Sequence, residues 1–140
     1  MMRNSIIRKI GSAEVAEAMN LVWNVFSEFE APEYSEDGIR EFKNYIVPGH
    51  IQSLIQNEAL DVWGCYDNQV IIGVIAMRPP CHISLLFVDK AHHRKGIART
   101  LFHTAINYYK ENKYCWRITV NSSPYAREIY HKLGFIDTDT

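Results

Sequence analysis

The stretch that decides the reading is Ile83-Ser84-Leu85-Leu86-Phe87-Val88-Asp89-Lys90-Ala91-His92-His93-Arg94-Lys95-Gly96-Ile97-Ala98-Arg99-Thr100. Its opening residues, Ile83 to Val88, are rich in β-formers and read as a buried strand. A polar, basic run follows and leads into a helix that begins with small residues at Gly96 and Ala98. A helix start leaves several backbone N–H groups unpaired and carries partial positive charge. Gly96 and Ala98 let an anion approach that backbone closely, and Arg94, Lys95 and Arg99 add charge around it. Such an arrangement suits a phosphate or pyrophosphate. The plain alternative is a solvated basic loop that caps a helix. The pattern is neither a Walker loop nor the dinucleotide fingerprint.

Upstream of this stretch, Ser5 to Ile10 reads as a strand broken by Gly11-Ser12, with Ser12 as the expected cap of a first helix. Val15, Ala18, Met19, Val22, Phe26 and Phe29 recur at helical spacing until Pro32. Ser35 opens a second helix with Ile39, Phe42 and Ile46 on one face, closed by Pro48-Gly49. An acidic connector, Glu28, Glu30, Glu33, Glu36 and Asp37, lies around the junction of the two helices. Ile51 to Asn57 reads as a further turn or two. Ala59 to Tyr66 and Val70 to Met77 are strands joined by the short loop Asp67-Asn68-Gln69.

Downstream, the helix from Gly96 carries Ile97, Ala98, Leu101, Phe102, Ala105, Ile106 and Tyr109 on its apolar face. Trp116 to Val120 is a strand. Ser123-Pro124 starts a last helix, which Gly134 stops, and Phe135-Ile136 begins a final extended piece. The order β-α-α-β-β-β-α-β-α-β predicts an α/β fold with a mixed sheet flanked by helices, in one domain over residues 1–140. Ile83–Val88, helix and Trp116–Val120 make a βαβ unit, so those two strands are expected to be parallel neighbours.

Composition narrows the function classes. Hydrophobic residues make up 47% of the 140-residue chain, enough for a core, and the net charge is -1. That balance argues against a nucleic-acid partner. No apolar run has the length of a membrane span. Arg3, Arg8 and Lys9 are not followed by a signal-peptide stretch, so a cytoplasmic protein without membrane association is expected. Cys65, Cys81 and Cys115, odd in number and widely spaced, predict small buried hydrophobes and no disulfide framework. His50, His103 and His131 have no ligand spacing, so no metal is expected.

The chain resembles the GNAT N-acetyltransferase family at two blocks. The family's phosphate loop reads Arg or Gln, any two residues, Gly, any residue, Gly or Ala. His93-Arg94-Lys95-Gly96-Ile97-Ala98 matches at Gly96 and Ala98 and departs at His93. The second block, Val120 to Phe135, is similar to the family's strand-to-helix segment that ends in Tyr, three residues, Gly-Phe. Here the tyrosine is Tyr130. An Asn usual seven residues before it is replaced by Ser123, with Asn121 two positions earlier.

The resemblance implies transfer of an acetyl group from acetyl-CoA to a primary amine of a small molecule or protein, by direct attack in a ternary complex. It implies pantetheine on the backbone of Leu86, Phe87 and Val88, beside a fourth strand bent by a bulge. Pyrophosphate is then expected on His93, Arg94, Lys95, Gly96, Ile97, Ala98 and Arg99 near Thr100, with Asn121 and Ser123 nearby. Tyr130 is carried over as the general acid. Some members place a Glu eleven positions before the Arg/Gln slot, and the corresponding base is His82; Glu28, Glu30 and Glu33 are alternatives, as bases or as ligands of a cationic acceptor. The family's closing strand has no counterpart before Thr140, which implies an exposed edge and a possible homodimer. Two other readings share these residues: a non-catalytic acetyl-CoA sensor of the same fold, and a phosphate- or nucleic-acid-associated regulatory protein.

Overall fold

The computed structural model describes residues 5–112, 115 and 117–138. Among them five strands form one sheet in the order β1-β2-β3-β4-β5: Ser5–Lys9 (β1), Asp61–Asp67 (β2), Val70–Arg78 (β3), His82–Val88 (β4) and Thr119–Val120 (β5). The first four pair antiparallel, and β5 runs parallel to β4. The helices are Val15–Phe29 (α1), Glu36–Tyr45 (α2), Pro48–Gln56 (α3), Ile97–Asn112 (α4) and Arg127–Lys132 (α5). This is the expected mixed sheet flanked by helices, including the βαβ unit.

Both faces of the sheet are covered, which is why β2 and β3 read as near-continuous apolar runs. Val15, Val22 and Phe26 of α1 pack with Val62, Val74, Leu85 and Phe87 on one face. Ile97, Leu101 and Ala105 of α4 pack with Cys65, Ile75, Ile83 and Val88 on the other, together with Tyr130. Gly73 on β3 allows the close approach of α4. A Cβ there would lie 3.0 Å from Leu101 Cδ1 and 3.1 Å from Ile97 Cγ2.

Local chemistry sets the element ends. Asn68 and Gln69 both take positive φ (50° and 70°), which suits the tight β2–β3 hairpin. Ser35 Oγ accepts the Gly38 N–H at 3.0 Å and caps α2 as expected. Ser12 does not cap α1. The chain makes a 3-10 turn at Ser12–Glu14 instead, and the Glu14 carboxylate accepts the Gly11 N–H at 3.0 Å. Arg8 holds that carboxylate through two hydrogen bonds, of 2.8 and 2.6 Å. The Pro48-Gly49 pair, expected to close the second helix, opens α3, because proline fits the first helical position.

Four further differences bear on the site. Cys81 and Cys115 are disulfide-bonded, with Cα atoms 5.6 Å apart, and only Cys65 among the described residues is a free buried thiol. The crossover through α4 returns the chain to the start of β4, so residues 34 apart in sequence meet. Trp116 lies outside the described residues, and β5 is confined to Thr119–Val120. Regular helix in the last segment starts at Arg127, after a turn in which Ser123 Oγ accepts the Ala126 N–H at 3.2 Å. Phe135 and Ile136 follow Gly134 (φ 103°) without forming a strand.

Candidate functional site

β4 carries a bulge. Met77 pairs with Ile83 but Ala76 pairs with Leu85, so Ser84 is the extra residue. The bulge reverses the side-chain alternation. Ile83, Leu86 and Val88 pack toward α4, whereas Leu85 and Phe87 pack toward α1. β5 follows β4 only through His82↔Thr119 and Ile83↔Val120. Past Ile83 no described strand lies beside that edge of β4. The backbone of Leu86, Phe87 and Val88 therefore lies beyond the last described β4–β5 pairing.

The loop after β4 is held by its own side chains. Asp89 N–H donates to the Ile72 carbonyl at 2.8 Å, and the Asp89 carboxylate accepts the Ala91 N–H at 3.2 Å. His92 Nδ1 lies 3.0 Å from the same carboxylate. His93, at the position of the family's Arg or Gln, donates from Nε2 to the Val88 carbonyl at 2.7 Å. It thus ties the loop back to the end of the strand. Arg94 (φ 63°) and Gly96 (φ 79°) both adopt the left-handed region. Such turns aim successive N–H groups into one concavity.

A Cβ at Gly96 would meet nothing within 4 Å, so open space lies over the helix start. Thr100 N–H donates to the Gly96 carbonyl at 3.1 Å and its hydroxyl does so at 2.9 Å. The amides of Ile97, Ala98 and Arg99, which precede the first intrahelical bond, are left to face that space. These residues fit a diphosphate. Two side chains are otherwise engaged: Ile97 is buried in the core, and Arg99 donates to the Lys132 carbonyl at 3.0 Å, bridging α4 to α5.

Tyr130 is buried on α5, edge-on to Phe135 at 5.6 Å between ring centroids. Burial, then the charge of Glu30 and the proximity of Tyr34, raise its phenol pKa well above the usual value, so it stays protonated. His82 Nδ1 shares a 2.7 Å hydrogen bond with Thr119 Oγ1. Burial and the nearby Arg78 lower the pKa of its ring, which favours neutral imidazole. Asn121 is exposed at the end of β5, and Ser123 is buried.

The acidic connector meets the start of α5. Glu33 Oε1 accepts the Tyr125 N–H at 3.0 Å. Phe29 stacks on Tyr125 at 5.1 Å and touches His93 at 5.3 Å, so one ring links the loop after β4 to α5. Periodicity placed Phe29 among core residues and did not single out Tyr125. The signal available was that Phe29 is the last residue of the helical pattern, beside the acidic run.

A cavity of about 810 Å³ is lined by Phe102, Val120, Asn121, Ser123, Tyr130 and Phe135, among others, and by no residue from 84 to 99. It follows β5 and α5. No helix among the described residues is long and apolar enough to cross a membrane.

The family model described as an acetyltransferase (GNAT) domain matches residues 30–140. No curated protein matches the chain. Among solved structures, the PaiA N-acetyltransferase of Thermoplasma acidophilum in complex with coenzyme A is 19% identical, with TM-score 0.79 over 97% of this chain and 92% of that one. A GCN5-related N-acetyltransferase from Rhodopseudomonas palustris is 16% identical, with TM-score 0.84 over 99% and 86%. A predicted acetyltransferase with acetyl-CoA from Clostridium acetobutylicum is 21% identical, with TM-score 0.73 over 96% and 92%. At these identities the likeness is one of fold.

Proposed function

The chain belongs to the GNAT acetyltransferase family, and from that premise we propose that it moves an acetyl group from acetyl-CoA to a primary amine, by direct attack with donor and acceptor bound together. The observation that carries this reading is the coupling of the split between β4 and β5 with the free amides at the start of α4. One suits an extended arm and the other a diphosphate, and both lie on one strand–loop–helix unit. The coenzyme A and acetyl-CoA in two similar structures support the choice of donor.

The donor supplies an activated thioester; the chain's residues hold it and move protons. Leu86, Phe87 and Val88 offer backbone groups to the arm and to the developing oxyanion. The loop from His93 to Arg99, with Thr100 fixing Gly96, binds the diphosphate. Asn121 and Ser123 line the far side of the cleft. Tyr130 gives its proton to the departing sulfur, and its raised pKa keeps that proton available throughout the physiological range. His82 is the proton acceptor to which the resemblance points. With Nδ1 on Thr119, its free nitrogen for that role is Nε2.

The acceptor is an amine of a small molecule or protein. The outer edge of β5, the last strand of the sheet among the described residues, is proposed as a surface for self-association. Thermal melting with acetyl-CoA tests the reading. At 100 times its Kd the ligand adds about 2.7 kcal/mol. With an unfolding entropy of about 2.1 cal/mol/K per residue over 140 residues, that raises Tm by roughly 9 °C. An unchanged Tm would remove acetyl-CoA from the proposal.

A further inference from the structure

Tyr130 is carried by α5, whereas the diphosphate is assigned to the loop from His93 and the first turn of α4. The sheet does not fix these two parts against each other. β5 pairs with β4 only at His82↔Thr119 and Ile83↔Val120, so no described ladder bond joins the end of β4 to the chain that enters α5. Apolar packing holds Ala126 and Tyr130 in the layer that contains Ile97, Leu101 and Phe102 of α4. Such packing is non-directional and does not by itself set where α5 lies along that layer. Directed contacts do so, and the described residues supply them at both ends of α5.

At the far end, the Arg99 guanidinium from the first turn of α4 donates to the Lys132 carbonyl at 3.0 Å. At the near end, the link runs through Phe29, the last residue of α1. Its ring stacks on Tyr125, with centroids 5.1 Å apart and planes 26° apart. The same ring meets that of His93 at 5.3 Å. Both separations are ordinary for interacting rings. Two polar contacts run in parallel with this ring. Lys90 Nζ lies 2.8 Å from Glu28 Oε2, which ties the loop to α1. Glu33 Oε1 accepts the Tyr125 N–H at 3.0 Å, which ties the connector to the entry of α5.

Each side of Phe29 leads to a part of the proposed reaction. His93 donates from Nε2 to the Val88 carbonyl at 2.7 Å, so its ring is fixed against the strand end assigned to the pantetheine arm. Tyr125 precedes Ala126, whose N–H is held by Ser123 Oγ at 3.2 Å and whose carbonyl accepts the Tyr130 N–H at 3.1 Å. The path Val88–His93–Phe29–Tyr125–Ala126–Tyr130 is therefore closed at every step by a hydrogen bond, a ring contact or a peptide bond.

We infer that Phe29 is a positioning residue that keys α5 to the diphosphate loop, so that seating acetyl-CoA sets the place from which Tyr130 delivers its proton. This rests on the acetyl-transfer reading above. Phe29 acts through His93 and Tyr125 and takes no part in bond making. Ordering of the loop by the diphosphate passes to α5 as restricted motion, a coupling between the donor site and the proton donor. An aromatic ring suits the place because it offers a flat face to Tyr125 and still reaches His93. A branched aliphatic side chain has no such plane.

The test compares Phe29→Leu, which keeps an apolar side chain, with Phe29→Tyr, which keeps the ring; Phe29→Met replaces Phe29→Leu if the latter does not fold. The first readout is hydrogen exchange with and without saturating acetyl-CoA. In the wild type and Phe29→Tyr, acetyl-CoA should slow exchange over both 93–100 and 125–133. In Phe29→Leu it should slow 93–100 and leave 125–133 near the ligand-free rate. The second readout is thiol release from acetyl-CoA with spermidine, putrescine, n-butylamine and lysine methyl ester, using the amine that the wild type turns over fastest. Phe29→Leu should lower kcat by about tenfold or more, as a small misplacement of a reacting group does, with acetyl-CoA affinity kept within a few-fold. Phe29→Tyr should keep most of the rate. On a Tyr130→Phe background, Phe29→Leu should cost no more than about a further twofold, because the group it positions is gone. Wild-type protection that stops at 93–100, equal protection of 125–133 in the wild type and Phe29→Leu, or the same loss of kcat on both backgrounds would overturn the assignment. No protection at 93–100 in the wild type, together with no thiol release, would instead overturn the acetyl-transfer reading beneath it.

Discussion

Reduction of the Cys81–Cys115 disulfide should both destabilise the protein and loosen its cleft. The bond joins residues 34 apart in sequence, with the whole of β4 and α4 between them. Opening it returns loop entropy to the unfolded chain, worth about 4 kcal/mol for a loop of this length. Divided by an unfolding entropy of about 2.1 cal/mol/K per residue, this lowers Tm by roughly 13 °C. The local consequence follows from position. Cys81 precedes His82, and β5 holds β4 only at His82↔Thr119 and Ile83↔Val120, with Thr119 N–H donating to the Cys81 carbonyl at 3.1 Å. Freeing Cys115 therefore releases the segment that leads into β5, and acetyl-CoA should bind more weakly. Urea unfolding with and without dithiothreitol, compared with the Cys81→Ala/Cys115→Ala double variant, measures the first effect. Acetyl-CoA titration measures the second. Identical midpoints in oxidised and reduced protein would refute the entropic reasoning. Alkylation of all three cysteines in denatured, unreduced protein would refute the bond itself.

Tyr130→Phe should lower kcat by about 10²-fold or more while leaving acetyl-CoA affinity within a few-fold, checked by steady-state kinetics beside ligand titration. Gly96→Ala places a Cβ at φ 79°, a conformation costly for an L residue, over the free amides of α4. It should weaken acetyl-CoA binding more than it lowers Tm without ligand; equal binding in both proteins would take the diphosphate off this loop. The Arg8 guanidinium, and next the Gly11 N–H, hold the Glu14 carboxyl at about 2 against an ordinary 4.5. Above 4.5 both states are ionised and the pair contributes fully. As pH falls from there toward 2, the unfolded chain takes up the proton first and that stability is lost. Glu14→Gln should flatten the dependence of Tm on pH in this window.

The sequence carried the loop and the layer order well because both are local. A strand, a basic run and Gly96 at a helix start are neighbours in the chain, and apolar spacing at 3.6 and 2 residues marks the covered faces. The β4 bulge was legible only through family likeness. Nothing in Ile83-Ser84-Leu85 signals that Ser84 is the extra residue, since that depends on register against β3. The disulfide was illegible for the same reason, because the crossover brings its halves together. Ser12 failed as a cap because Glu14 reached back to the Gly11 N–H with Arg8 behind it, a three-residue arrangement stronger than one hydroxyl. The burial of Glu30 was not legible in the acidic run to which it belongs, because it is a matter of tertiary packing.

Acetyl transfer itself is most directly tested by incubating the protein with acetyl-CoA labelled in the acetyl group and a panel of primary amines, then following label and free thiol together. The prediction is N-acetyl product and free thiol in equal amounts, formed only when enzyme and amine are both present, and strongly reduced by Tyr130→Phe without loss of acetyl-CoA binding. Tight acetyl-CoA binding with no label transferred to any amine would contradict it and make the protein a sensor on the same fold.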